Sequence, residues 1–167
     1  NYNCVVATAS SGTKTTNAKV NGDATLAFVT TESGPLLVID ILPQSDFFGT
    51  LVSSAGSSTK ITSSTPRGDG LHVFATTENN ELLVFEISLG GNGPAGGSYT
   101  GALKLNLLET FAARGDAGCI FDAKNDNLYT LDTKKEKLYV INLHQNPITP
   151  ASGIAGLIIG VQQMVSA

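Results

Sequence analysis

The sequence predicts an all-β fold of β-propeller blades, three four-stranded antiparallel repeats forming a partial propeller or half of a six-bladed one. Three observations carry this. Residues 70–88, GLHVFATTENNELLVFEIS, read as two strands around a polar turn, with Leu71, Val73 and Ala75 before Glu78-Asn79-Asn80-Glu81 and Leu82, Leu83, Val84, Phe85 and Ile87 after it. The same pattern recurs 46 residues earlier in TLAFVTTESGPLLVIDI and 56 residues later in NLYTLDTKKEKLYVINL. In that gapless alignment Phe28 falls on Phe74, Thr31 on Thr77 and Thr133, Val38 on Val84 and Val140, and Asp40 on Glu86 and Asn142. Finally, 18 glycines in 167 residues, with many serines and threonines, suit short strands and frequent turns.

Taken in order, the chain opens with the short apolar run Cys4-Val5-Val6-Ala7, and the Ser/Thr/Gly stretch Thr8 to Thr16 reads as a loop. The first repeat pair occupies Val20 to Ile41, Phe47 to Ser53 is a further strand, and Ala55 to Ser64 reads as a polar linker. In the second unit the central pair is followed by Gly90 to Gly97, a loop by composition. Leu103 to Phe111 alternates as an outer strand would, although the spacing of Leu107, Leu108 and Phe111 also admits a short helix. The third unit starts at Cys119-Ile120-Phe121, runs through Tyr129 and Leu138 to Leu143, and closes with the Gly-framed run ending at Val161. The whole of 1–167 is thus one propeller segment with units at about 17–64, 65–111 and 112–165.

Four short strands per 46 to 56 residues is the period of propeller blades. Three blades cannot close around a channel, because closed rings use about four to eight. Sheet faces would therefore remain exposed and need partners, either further propeller blades or copies of the chain itself.

Composition narrows the classes of function. Hydrophobic residues are 41% and charged residues 14%, so the chain is globular and lightly charged; a net charge of −4 gives no electrostatic reason to expect nucleic acid. With no Trp, an antibody-like sandwich loses its buried hallmark. No run reaches the ~18 apolar residues of a membrane-spanning helix. The two cysteines, Cys4 and Cys119, are read either as buried thiols or as a disulfide; a disulfide would imply an oxidising compartment. Sparse Lys with abundant Ser, Thr and Gly leans toward a secreted or cell-surface protein, and the start at Asn1 toward a processed chain or a part of a longer one.

At the third unit the sequence resembles the β-propeller phytases. That family carries E-G-C-V-x-D-D-E-x-G-x-L-Y-I-x-E-E-D, and here the stretch is Ala117-Gly118-Cys119-Ile120-Phe121-Asp122-Ala123-Lys124, then Asn127-Leu128-Tyr129-Thr130-Leu131-Asp132-Thr133-Lys134. Ile154-Ala155-Gly156-Leu157-Ile158-Ile159 is similar to the family's I-E-G-L-x-I-Y, and Tyr99 to Phe111 to the segment leading into the signature. The resemblance implies a six-bladed propeller and calcium held by carboxylates that engage phytate phosphates. The ligands carry over poorly: Ala117 and Ala155 stand where the family has Glu, and Ala123, Lys124, Thr133 and Lys134 where it has further acids. Asp122 and Asp132 remain as candidate metal ligands, and calcium is the one cofactor the resemblance admits.

Other candidates have plainer readings. Asp126 joins Asp122 and Asp132 in the densest acidic cluster, read either as a residual calcium site or as a turn residue between two strand-end caps, and Glu78 and Glu81 read as turn residues. Arg-Gly-Asp occurs at 67–69 and at 114–116, each time before a strand, where turn chemistry accounts for it without adhesion. His72 is expected at the surface or in an interface, and neither it nor His144 has a nucleophile in a recognisable motif. The expectation is a non-catalytic module for structural assembly or protein interaction. The alternative is a calcium-dependent phytase-like phosphohydrolase completed by further blades or chains.

Overall fold

A computed structural model describes residues 12–68, 70–89, 103–112, 115–143 and 160–164. Within them lie twelve strands and no helix. β1 (Thr15–Val20), β2 (Leu26–Thr31), β3 (Leu36–Asp40) and β4 (Leu51–Ala55) form the first sheet, and β5 (Ile61–Pro66), β6 (His72–Thr77), β7 (Glu81–Leu89) and β8 (Leu103–Ala112) the second. β9 (Gly118–Asp122), β10 (Asn127–Asp132), β11 (Lys137–Asn142) and β12 (Gly160–Met164) form the third. Each sheet is an antiparallel meander in chain order. Sheets meet through their first strands, β1 with β5 and β5 with β9, and again at the rim through β4 and β8.

The core is two layers, one at each junction. Leu26, Phe28, Leu36, Val38, Val52 and Ala55 of the first sheet pack on Val73, Ala75, Leu83, Phe85 and Ile87 of the second. The opposite side of the second sheet, Phe74, Leu82 and Val84, packs on Cys119, Leu128, Ile141 and Leu143 of the third. A sheet sandwiched between two others buries both faces, so β6 is buried at every position and shows no alternation.

Several expectations change. The polar linker at 55–64 conceals the first four residues of β5, and the loop at 8–16 the first two of β1. Their sequences, ITSSTP and TTNAKV, lack the apolar alternation of a half-buried strand. The reason is position: first strands converge, so β5 buries the small side chains of Ser63, Ser64 and Thr65, while β1 stays largely exposed. Residues 103–111 are strand and not helix. The glycine-rich loop at 90–97, Cys4, His144 and the 154–159 element lie outside the described residues.

The gapless repeat alignment also fails at one place. Leu26↔Asp40 in the first sheet corresponds to His72↔Glu86 in the second, but Asn127 pairs with Asn142 in the third. The β10–β11 connection has one residue more than β6–β7, so it is Asp132, not Thr133, that occupies the place of Thr31 and Thr77. All three residues are fully buried there, whereas Thr133 is exposed.

Candidate docking face and the joints beside it

The side of the third sheet turned away from the second carries Tyr129 and Leu131 of β10 and Leu138 and Val140 of β11, with Ile120 of β9 opposite Tyr129 in register. Strand alternation sets this face: Leu128, Thr130, Tyr139 and Ile141 point to the second sheet, so their neighbours point away. Ile120 is 62% exposed, Leu131 44% and Leu138 37%. Where this face reaches the first strands, Ile120, Tyr129, Leu131 and Leu138 border a cleft of about 310 Å³ whose far wall is Asn17 and Lys19 of β1. The lining is mostly apolar, which suits packing better than polar catalysis.

Among the polar contacts that hold the third sheet to the second, two are side-chain joints at opposite ends of the sheets. In the β6–β7 turn Asn80 adopts φ of 65°, a left-handed conformation that asparagine tolerates. Its amide nitrogen donates to Asp132 Oδ2 at 2.7 Å, and its carbonyl oxygen accepts the Gly115 backbone N–H at 2.6 Å. Asp132 also accepts the Lys135 N–H, and the Lys135 ammonium stands 3.7 Å away. Burial works to raise the Asp132 pKa, but the Asn80 amide, the Lys135 N–H and the Lys135 charge outweigh it and hold the carboxyl below the usual value. At the other end of the sheets the Arg67 guanidinium donates twice to Asp126, from Nη2 at 2.8 Å and Nε at 3.2 Å, with both side chains largely buried.

These joints place the sequence candidates. Asp122 accepts from Asn125 Nδ2 and the Lys124 N–H, an exposed turn cap whose Asn125 bond lowers its pKa. It pairs in register with Asn127, the first residue of β10, while Asp132 is the last. At ~3.4 Å per residue the two aspartates stand roughly 17 Å apart, so they do not meet at one ion. Among the described residues no three His, Cys, Asp or Glu side chains gather to hold a metal. Asp126 is indeed a turn residue, at φ of 50°, but sequence reasoning missed its tie to Arg67, 59 residues away. That tie engages the arginine of the first Arg-Gly-Asp. In the second, Asp116 is buried and accepts from the Thr133 N–H and hydroxyl.

His72 is not on the surface: it is 3% exposed and shares the Phe74 face, at the junction with the third sheet. Cys119 is a buried free thiol; burial pushes its pKa up to about 12, against an opposing hydrogen bond with Ser63. A thiol so rarely ionised is a poor nucleophile and a packing residue.

No protein-family model matches the chain, nor does any curated protein. Solved structures do. A periplasmic gluconolactonase of Pseudomonas aeruginosa aligns at TM-score 0.60 and 17% identity, over 93% of this chain and 40% of that one. The beta-propeller domain of Cps50 (Swd1) from Myceliophteria thermophila aligns at 0.58 and 13%, over 89% and 42%, and the RRP9 WD40 repeats at 0.59 and 16%, over 82% and 38%. At these identities the likeness shows the fold: the three sheets are propeller blades. The chain spans about 40% of the length of such propellers.

Proposed function

We propose that this chain is a non-catalytic β-propeller module acting in structural assembly or protein interaction, outside the cell or at its surface. The observation that carries the reading is the apolar face of the third sheet, exposed through Ile120, Leu131 and Leu138 where a propeller would continue. Similar structures include the RRP9 WD40 repeats and a propeller named as a gluconolactonase, so the reading rests on the exposed face and not on the fold alone. Asp132 joins the third blade to the second and Asp122 caps a turn, so both carboxylates the phytase resemblance singled out have structural work to do. The low charge favours packing against other sheets over binding nucleic acid.

The enzymatic alternative is a hydrolase completed by further blades. It draws on the phytase resemblance, with calcium at Asp122 or Asp132, and on the likeness to a propeller named as a gluconolactonase. The purified chain, given phytate with millimolar calcium and separately gluconolactone, is expected to release neither phosphate nor acid above the buffer rate. Turnover of either substrate, lost when Asp132 is changed to Ala but the fold is kept, would replace the module reading with the enzymatic one.

A further inference from the structure

We infer that the open face of the third sheet is the seat of a fourth blade, a four-stranded antiparallel sheet built like the first three; this rests on the assembly reading and names the partner. The chain itself shows what covers such a face. Phe28, Leu36 and Val38 of the first sheet are covered by the second, and their equivalents Phe74, Leu82 and Val84 by the third. All six are at most 1% exposed. The matching residues of the third sheet are Tyr129, Leu138 and Val140: an aromatic, a leucine and a valine at the same three places, left partly or wholly exposed. An outward-facing surface would not need core residues in core positions, whereas a junction would.

The turn that reaches the next sheet is also repeated. Gly34, Asn80 and Glu136 occupy the same place in the three hairpins, and each has positive φ, 111°, 65° and 54°. Gly34 offers its carbonyl to the N–H of Ile61, where the second sheet begins. Asn80 takes the N–H of Gly115, just before the third begins. Glu136 stands exposed with an acceptor carboxylate where the entry of a fourth sheet would bring its N–H groups. A second copy that continued the ring head to tail would present the free side of its first sheet, where Val29 and Leu37 are already only 6% and 5% exposed, which favours a separate blade.

The test extends the intact chain. Residues 56–60 and 113–117 show that five residues join one sheet to the next. A duplicate of residues 59–112 is therefore placed after Ala167, so that 165–167 with 59–60 give the same connection. Leu138→Cys, in a Cys4→Ser background, reports the face by its rate of maleimide labelling, buried Cys119 serving as the slow internal reference. Labelling is expected to slow by about tenfold or more in the extended chain, with added strand signal in circular dichroism. Unchanged labelling beside a folded added sheet overturns the inference. So does an added sheet that stays unfolded both as 59–112 and as a duplicate of the third sheet, since neither then finds a seat. Protection of the unextended chain that rises with its concentration overturns it too, by showing a second copy on the face. None of these outcomes bears on substrate turnover, so the non-catalytic reading stands or falls separately.

Discussion

At the scale of single residues, polar groups that cross from one sheet to the next add to the stability of the apolar junctions. Replacing Asp132 with Ala leaves the buried Asn80 amide and the Lys135 N–H without their acceptor, a loss of about 1–3 kcal/mol. The sign with pH follows from the lowered carboxyl. A group whose pKa falls on folding stabilises above its unfolded value, about 3.9 for Asp, and that contribution disappears as pH drops through the folded value. Urea melts of wild type and Asp132→Ala should therefore differ most near neutrality and converge below the ordinary carboxylate range. Gly115 is constrained more simply. Its φ is 126°, and a Cβ there would lie 2.9 Å from Cβ of Thr130 and 3.1 Å from the Leu131 carbonyl. Gly115→Ala combines backbone strain with a clash and should cost at least about 1–3 kcal/mol by the same melts, whereas the equivalent change at exposed Gly22, which meets nothing, should cost much less.

At the scale of elements, the three hairpins are variations on one unit, and their differences have local causes. In the first two sheets a threonine pair, Thr16 with Thr30 and Thr62 with Thr76, joins the inner strand to its neighbour by hydroxyl contacts of 2.9 and 3.0 Å. In the third sheet the corresponding cross-strand pair is Gly118 and Leu131, so a polar link gives way to an exposed leucine. The extra residue between β10 and β11 sets Asp132 at the buried strand end and frees Thr133 to bond Asp116. The hairpins themselves were legible, because β-branched and aromatic runs around Asn- and Glu-rich turns have one common reading. The inner strands β1 and β5 were not, since their surroundings are other inner strands, which ask for small or polar side chains.

For the molecule as a whole, the decisive property is that three blades bury two junctions and leave a third face open. One substitution made at three equivalent places measures this. Leu36→Ala and Leu82→Ala each open a cavity at a closed junction and should cost about 2–5 kcal/mol. Leu138→Ala, at the open face, should fall within about 0.5–1 kcal/mol of wild type in thermal or urea unfolding of the isolated chain. Equal penalties at all three would mean that the third face is already buried in solution. Among the described residues no helix is long and apolar enough to cross a membrane.

The sequence alone determined that the chain is all-β, that its hairpins repeat and that three such units cannot close, because period and turn chemistry are local properties written into neighbouring residues. Only the tertiary structure decided which residues join the blades. The pairs Asn80 with Asp132 and Arg67 with Asp126 lie 52 and 59 positions apart. The pairing of β9 with β10 sets Asp122 beside one end of β10 and Asp132 at its other end, so the metal-ligand candidates of the linear reading stand apart. Contacts between distant segments depend on register and on the path each sheet takes past its neighbour, and neither is encoded in any short window of the chain.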